Sequence, residues 1–385
     1  MEFSEIKSVV LEHFPYTQSL RRALHEIPEV GLFLPKTQDF VCAELEKFGY
    51  AVERNDESSG LSLVINPKGE ETLVFRCDMD ALPVFEPEGL SFRSKHEGSM
   101  HACGHDLHTA IMITVAKILS ENKPNKKIVL AFQSGEEFDR GAIPLLKHKN
   151  LVEVEVARSF ALHTHANLPS GTLNWKNDSF MGFGDWFEIQ VTGLGGHGAS
   201  PHKANTPITP AANIALAINS ITDLLAKPWP TQVATVTEIL SGNSVNVIPP
   251  DARLRGTIRG KNFESISYVR QKLEEIVKNT QAQFGVKVDL NIKEGYPAVI
   301  NSVESNEFAK TCLAKLPEIP TVNELPETSM VIEDYSYFLQ KWPGAMFYLG
   351  CQVEGSEFFN HSEKVQFNED AMKSGVEFFL ALAYS

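Results

Sequence analysis

Several features that mark particular classes of protein are absent from this sequence. The 385 residues contain no apolar run of about 18 residues, the length that a membrane-spanning helix needs. The first residues, MEFSEIKSVVLEHF, are acidic and amphipathic, whereas a secretory signal requires a basic start and a continuous apolar stretch. We therefore expect a cytoplasmic protein, and we expect no membrane as a partner.

Cysteine is scarce as well. The chain has 5 cysteines, an odd number without the regular spacing of a disulfide framework. Scattered cysteines are typical of reduced thiols in a cytoplasm-like compartment, where at most one or two have a chemical role. The cysteines are Cys42, Cys77, Cys103, Cys312 and Cys351.

Positive charge is also in short supply. Lys and Arg number 35 against 49 Asp and Glu, which gives a formal net charge of -14, and no basic block stands out. We therefore expect no nucleic acid as a partner, and an anionic substrate would need a local basic pocket. No G-x-S-x-G sequence is present, so a serine hydrolase of the nucleophile-elbow type lacks support.

Strand and helix signals alternate in the first half of the chain. The segments TLVFRCDMD and KKIVLAFQSGEE are typical of buried strands. Between them, LHTAIMITVAKILSEN has the apolar spacing of a helix, with Asp106 or Thr109 near its start. This alternation predicts an α/β sheet covered by helices on both faces.

The pattern changes near Phe183. The segments that follow predict the order strand-helix-strand-strand-helix-strand of a ferredoxin-like module, with its first helix over PAANIALAINSITDLL. Because AMFYLG near the C-terminus resembles another strand of the first domain, we interpret the α+β module as an insertion. The predicted boundaries are 1–182 and 295–385 for a mixed α/β domain and 183–294 for the inserted one.

Potential metal ligands follow several predicted strands of the first domain. In open α/β sheets, sites form beyond the carboxyl ends of the strands, so these side chains are expected to share one location. Carboxylates and imidazoles in that location are what a metal site on a sheet requires. The residues are Asp78, Asp80, Glu136, Glu137, His163 with His165, and, after a loop, His361.

The stretch MHACGHDLHTA crowds histidines, a cysteine and an aspartate together. A structural zinc finger is disfavoured because Cys103 and His105 lack paired partners at the required spacing. A second interpretation is that His101, His105 and His108 only flank a helix start, with Cys103 buried. The carboxylates and histidines at the strand ends favour a third interpretation, in which this stretch supplies half of a metal site.

The adjacent Glu136 and Glu137 are expected to point in different directions, so one can bind metal while the other faces a water molecule. Metal-assisted hydrolysis needs both a Lewis acid that lowers the pKa of water and a base that takes its proton. A solvated acidic turn is the alternative, although a buried strand precedes the pair. A Cys103 nucleophile is another alternative, but it would leave the paired glutamates and His361 unexplained.

Two further segments carry polar candidates. GLGGHG matches the dinucleotide fingerprint G-x-G-x-x-G, but Pro201 and Pro207 obstruct the helix that should follow. We favour a glycine loop that presents His197 as a neutral donor or acid, with a structural histidine as the alternative. Farther on, Asn246 and Arg259 flank strand signals. Arginine in a partly covered cleft suits a carboxylate, although spacing alone equally allows an arginine on an exposed strand face.

Together, these motifs resemble those of the metal-dependent amidohydrolases that include aminoacylases, hippurate hydrolases and auxin-conjugate hydrolases. The resemblance runs nearly end to end, with the motifs in the right order. It implies a two-metal catalytic domain interrupted by a smaller lid or dimerisation domain, and therefore a homodimer. The motifs are RRALHEIPEVG, RCDMDALPV, MHACGHDLHTA, FQSGEE, GGHGASPH, NVIP with GTIR, EDYSYF and NHSE.

The resemblance also implies a role for each matching residue. Glu136 becomes the general base, Asp80 orients a metal ligand, and His197 steadies the oxyanion, either in its own site or in that of the partner subunit. Asn246 and Arg259 hold the carboxylate of the substrate. The implied metal ligands are Cys103, His105, Glu137, His163 and His361, with Cys103 bridging.

The sequence therefore predicts a dinuclear-metal amidohydrolase that cleaves N-acyl amino acids. A thiolate with imidazoles suits zinc, while the carboxylates also admit manganese, cobalt or nickel. A metallo-exopeptidase of dipeptidase or carboxypeptidase type is the alternative, because it differs only in accepting a free amine beside the scissile bond. A non-catalytic binding protein on the same scaffold should have lost a ligand or the base, and this sequence keeps them all.

Overall fold

The computed structural model describes residues 1–137, 139–223 and 232–385. The predicted helix PAANIALAINSITDLL is present up to Asp223, and its last two residues lie outside the described part of the chain. The described residues divide into two compact units. The first unit contains Met1–Phe180, Val299–Glu327 and Glu333–Ser385, and the second contains Met181–Ala298 and Thr328–Ile332.

The helices range from single turns to long amphipathic elements. The described helices are α1 (Phe3–His25), α2 (Pro35–Lys47), α3 (His105–Glu121), α4 (Ala142–Leu145), α5 (Lys149–Val152), α6 (Ile208–Asp223), α7 (Phe263–Phe284), α8 (Val303–Leu313), α9 (Ser336–Lys341) and α10 (Ala371–Ala383). No helix in the described ranges has both the length and the apolar character needed to cross a membrane.

The strands alternate with these helices through most of the chain. They are β1 (Glu53–Arg54), β2 (Leu61–Ile65), β3 (Thr72–Asp78), β4 (Lys127–Gln133), β5 (Arg158–His165), β6 (Leu173–Trp175), β7 (Asp178–Met181), β8 (Phe183–Thr192), β9 (Gly196–His197), β10 (Gln232–Leu240), β11 (Val247–Ile248), β12 (Asp251–Gly260), β13 (Lys287–Tyr296), β14 (Val299–Asn301), β15 (Val322–Glu324) and β16 (Gly344–Gly350).

A large mixed sheet forms the centre of the first unit. Its eight strands lie in the order β1-β2-β4-β3-β5-β16-β6-β15. The central pairs β4/β3, β3/β5 and β5/β16 are parallel, whereas β2 pairs with β4 in antiparallel fashion. Every residue of β3 and β16 is buried, as expected for central strands covered on both faces. Because parallel strands end at a common edge, the segments that follow β3, β4 and β5 are brought together there.

Helix α3 leads directly from the candidate metal-binding stretch into the core. It packs against β3 and β5 as well as against α1 and α10. The helix begins at His105, after Gly104 in the left-handed conformation with φ 84°. A side chain at Gly104 would collide with the hydroxyl of Thr164, so this entry to the helix requires glycine. The predicted helix is present, with Asp106 and Thr109 inside its first turns.

The second unit contains an antiparallel sheet with the strand order β10-β12-β8-β13. Helices α6 and α7 pack against this sheet and against each other. Ile189, Leu254 and Val269 belong to a hydrophobic core made only of residues from this unit. Along the chain the elements run β8-α6-β10-β12-α7-β13, with the short pair β9 and β11 in the connections.

Candidate metal centre

One group of side chains gathers at the edge where β3, β4 and β5 end. Cys103 lies with His105 and His163, and it also lies with Glu137 and His361. In each set the potential ligand atoms are all within 4.8 Å of one another. Cys103 therefore belongs to both of these sets. These are the five side chains that the sequence comparison with amidohydrolases singled out.

The closest contacts in this group join histidine nitrogens to the thiol and the carboxylate. The Sγ atom of Cys103 lies 3.5 Å from Nε2 of His163 and 3.3 Å from Nε2 of His361. The same nitrogen of His361 is 3.3 Å from Oε1 of Glu137. His105 is fully buried, whereas the His361 side chain is 53% exposed, so the group opens toward solvent on the His361 side.

The hydrogen bonds of two of the histidines leave their Nε2 atoms suitable for binding a metal. Nδ1 of His105 donates to the backbone oxygen of Asp80 at 2.9 Å, and Nδ1 of His163 donates to the oxygen of Thr164 at 2.8 Å. A carbonyl can only accept, so these bonds place the proton of the neutral ring on Nδ1 and leave Nε2 as the ligand atom. Nε2 of His105 is buried and has no hydrogen-bond partner among the described residues. The residues present therefore fit a bound metal.

The electrostatic environment of His361 also favours a bound cation. Burial alone would lower the pKa of His361, but contacts with Cys103 and Glu137 outweigh it and raise that pKa to about 10. The group therefore has a negative field that favours a cation, and a divalent ion would compete with the proton for this place. Two neighbouring sets of ligand atoms that share Cys103 support the binding of two divalent metals.

Glu136 lies beside His105 and Glu137 but is not grouped with Cys103. One of its carboxylate oxygens is within 4.8 Å of ligand atoms of His105 and Glu137. The side chain is buried, and burial raises the pKa of Glu136 well above its ordinary value, with further increases from the nearby carboxylates of Glu333 and Glu137. A carboxylate whose proton affinity is raised is better suited to general base chemistry at neutral pH.

Asp80 holds two of the candidate ligands through main-chain groups. Its backbone oxygen receives the His105 bond, and its Oδ2 accepts a hydrogen bond from the backbone N–H of Glu137 at 3.1 Å. Asp80 thus contacts His105 through its backbone oxygen and Glu137 through its carboxylate. His101, in the same sequence stretch, belongs to none of these sets and instead faces His25, with ring centroids 6.2 Å apart.

A buried network of charged residues around Arg76 was not predicted from the sequence. Arg76 donates to Oδ2 of Asp78 at 2.6 Å and to Oε1 of Glu333 at 2.8 Å. The other oxygen of Asp78 pairs with Nδ1 of His108, whose Nε2 accepts the backbone N–H of Thr164 at 2.8 Å. The signal for this network was an arginine within the otherwise apolar strand TLVFRC, because a fully buried guanidinium must have acidic partners.

The remaining predicted residues lie in the second unit. His197 in β9 is exposed and pairs with Val247 in β11. The backbone oxygen of the preceding Asn246 accepts the N–H of Gly198 at 2.9 Å, so the structure places Asn246 beside His197. Arg259 in β12 is partly buried, and its Nη1 donates to the backbone oxygen of Ile258 at 2.8 Å.

Comparisons with known proteins identify the family of this chain. The profile of Peptidase family M20/M25/M40 matches residues 74–385. An N-acetyldiaminopimelate deacetylase of Shouchella clausii is 32% identical over 363 residues, covering 94% of this chain and 96% of that protein. Thermostable carboxypeptidase 1 of Saccharolobus solfataricus is 34% identical over 385 residues, covering 96% and 95%.

A solved structure is similar over almost the whole length. It is a dinuclear metal-binding peptidase from the M20 family of Bacillus subtilis, with a TM-score of 0.81 and 27% sequence identity. The similarity covers 97% of this chain and 98% of that one.

Proposed function

The chain belongs to peptidase family M20/M25/M40 and is thus a metal-dependent amidohydrolase, and from this premise we propose that it hydrolyses the amide bond of N-acyl amino acids. The observation that carries the proposal is the position of Glu136, a buried carboxylate beside the ligand atoms of His105 and Glu137. The relatives named N-acetyldiaminopimelate deacetylase support an acylated amino acid as the substrate.

The ligand set proposed for two cations is Cys103, His105, Glu137, His163 and His361, with Cys103 shared. When bound, two divalent ions supply a Lewis acid that lowers the pKa of water and polarises the acyl carbonyl. Zinc suits a thiolate combined with imidazoles, and manganese, cobalt or nickel suit the carboxylates.

The chain's own residues move the protons. Glu136 takes a proton from the attacking water and delivers it to the departing nitrogen. Asp80 keeps His105 and the backbone of Glu137 in place through the two hydrogen bonds described above. His197 donates to the developing oxyanion, an interaction whose loss typically costs about 3 kcal/mol.

The second unit is proposed to be an inserted ferredoxin-like lid that also forms the interface of a homodimer. Asn246 and Arg259 are assigned to the carboxylate of the substrate. The Arg259 guanidinium supports this role because it donates to the backbone oxygens of Ile258 and Asp185 rather than to a carboxylate. Its charge is thus available to an anion, and the forked donors suit a carboxylate.

A metallo-exopeptidase is a second candidate, since a carboxypeptidase is among the similar proteins. The two activities differ in what lies on the N-terminal side of the scissile bond. An acylase accepts an uncharged acyl group there, whereas a dipeptidase accepts a free ammonium group. A binding protein without activity is the third candidate, and the retention of Glu136 and of the ligand set argues against it.

The decisive experiment combines metal analysis of the purified protein with a substrate panel. N-acetyl and N-benzoyl derivatives of one amino acid are compared with dipeptides that end in the same residue, before and after chelation and after metal is restored. Hydrolysis of the acyl derivatives that disappears with chelator and returns with metal is the expected result. Preference for dipeptides would favour the exopeptidase, and no turnover at full metal occupancy would revive the binding protein.

A further inference from the structure

The EDYSYF segment has no part in the function proposed so far, yet its two acidic residues are buried, with carboxylate oxygens within 4.8 Å of a carboxylate oxygen of Glu136. The carboxylate of Asp334 uses both of its oxygens. Its Oδ1 accepts a hydrogen bond from Nε2 of Gln133 at 2.7 Å, and its Oδ2 accepts the backbone N–H of Ala142 at 2.9 Å. These two partners lie at the two ends of one loop.

That loop carries the candidate base. Strand β4 ends at Gln133 and helix α4 begins at Ala142, and Glu136 and Glu137 lie between them. Within the loop, the backbone oxygen of Gly135 accepts the N–H of Gly141 at 3.0 Å. Gly141 has no room for a side chain, because a Cβ there would overlap the backbone oxygen of Ser134. The described part of the loop is therefore tightly turned between Gly135 and Gly141, and we expect a displacement of either end to move Glu136.

We infer that Asp334 is a positioning residue that ties both ends of this loop and so aims Glu136 at the attacking water. The inference rests on the proposed role of Glu136 as the base. Asp334 is itself held by Arg76, whose Nη2 lies 3.1 Å from Oδ1. Arg76 in turn is fixed by Asp78 and Glu333, so the tie is anchored in the buried network rather than in solvent.

A carboxylate is required for this tie, and an amide of the same size cannot replace it. Asp334 accepts from the loop on both oxygens, whereas asparagine has one acceptor and one donor. In Asp334→Asn the amide nitrogen would face either the Ala142 N–H or the donors of Gln133 and Arg76. A buried donor facing another donor is unfavourable, so one end of the loop is expected to move away.

The test compares Asp334→Asn with two variants of the same segment. Glu333→Gln controls for the loss of a neighbouring carboxylate, because Glu333, like Asp334, lies within 4.8 Å of the Glu136 carboxylate. Glu333 contacts Arg76 and the N–H of Tyr335, however, and holds neither end of the loop. Ser336→Ala is the matched control, because the buried Ser336 hydroxyl has no hydrogen-bond partner among the described residues. Each variant is analysed for metal content, thermal unfolding, kcat and KM, and for the visible spectrum of the cobalt-substituted protein.

Asp334→Asn is expected to retain both metals and to lower kcat by about 10- to 100-fold with KM nearly unchanged, because a displacement near 1 Å has effects of that size. The cobalt spectrum should shift, since Glu137 moves with the same loop. Glu333→Gln should lower kcat less, and Ser336→Ala should match the wild type in every measurement.

Three results would overturn the inference. They are a wild-type kcat and spectrum in Asp334→Asn, an equal loss in Glu333→Gln, and a loss in Asp334→Asn that appears entirely in KM. If Asp334→Asn does not fold, Gln133→Met removes one of the two end contacts, and an unchanged kcat in that variant would also refute the tie. Failure of the proposed function is distinguishable, because the wild type itself would then show no metal-dependent hydrolysis while the cobalt spectra still report the loop.

Discussion

The sulfur of Cys103 lies 3.3 Å from Nε2 of His361, although 258 positions separate the two residues along the chain. His361 is held there in a left-handed backbone conformation with φ 72°, and its N–H donates to the backbone oxygen of Ala102 at 2.8 Å. The loop before α3 and the loop after β16 thus meet at one point, with a thiol and an imidazole in contact. For a non-glycine residue that conformation is uncommon, and it typically marks a site where the side chain must be aimed.

This contact predicts that Cys103→Ser weakens the binding of both metals. Substitution of groups that only orient a ligand costs about 10- to 100-fold in metal affinity, so loss of the shared ligand should cost at least about 100-fold. Elemental analysis after dialysis against graded chelator measures the effect. Cys42→Ser, which alters a buried thiol in α2, is the control, and equal metal retention in both variants would exclude Cys103 as a shared ligand.

Removal of the base should separate metal binding from turnover. We expect Glu136→Gln to keep the metal content of the wild type and to lower kcat by about 100- to 10,000-fold, since glutamine cannot accept the proton. Single-turnover and steady-state assays on the preferred acyl amino acid measure the decrease in kcat. Glu274→Gln, on the exposed side of α7, should remain active. Near-normal turnover in Glu136→Gln would mean that another group is the base.

The carboxylate of the substrate offers a test of Arg259. We expect Arg259→Met to raise KM for N-acyl amino acids by about 10- to 100-fold, because a charge-assisted hydrogen bond is lost. For the corresponding amino acid amides, which lack the charge, KM should change little. Arg255→Met is the control on the same strand, since Arg255 is 47% exposed and pairs with Glu238 at 2.7 Å. Equal effects on charged and uncharged substrates would contradict the assignment.

An ion-pair cluster around Glu369 and helix α1 predicts how stability depends on pH. Glu369, only 14% exposed, receives hydrogen bonds from Arg22 at 2.7 Å and from Arg21 at 3.3 Å. Burial alone would raise the pKa of Glu369, but the bond from Arg22 and the charge of Arg21 outweigh it and lower the pKa. The stabilisation is therefore present above the unfolded-state pKa of about 4.3 and is lost as the pH falls through the lower folded-state value.

Urea unfolding of Glu369→Gln measures that contribution. At pH 7 the variant should be less stable than the wild type by about 2 kcal/mol, the typical value for hydrogen bonds to a charged group. Below the folded-state pKa the difference should vanish, because Glu369 is then protonated in both states of the wild type. The exposed Glu88→Gln serves as the reference. A difference that stays constant with pH would show that packing, not charge, is lost.

Much of the fold follows from local patterns. The strands β3 and β4 and the helix α3 lie where their apolar periodicity predicts them, because residues buried on both faces leave a continuous signal in the sequence. The residue range of the second unit, by contrast, cannot be derived from local patterns. Residues 328–332 join it through packing, and no compositional change marks their boundaries.

The residue types of the candidate centre were also readable, because parallel strands bring their carboxyl ends to one edge and the ligands follow those ends. The sequence did not show which of several similar residues would face the candidate centre. His101 and His105 belong to the same stretch, but His105 lies with Cys103 and His163 whereas His101 faces His25.

By itself, the sequence determined the family, the alternation of strands and helices, and the chemical types available for a metal-dependent hydrolase. Only the tertiary structure decided that Arg76 meets Asp334 across 258 positions and that Asp334 ties both ends of the loop that carries Glu136. The physical reason is that periodicity and turn propensity are local properties of the chain. A buried hydrogen bond between remote residues instead depends on the packing of whole elements, so the sequence can indicate that Arg76 needs an acidic partner but not which residue provides it.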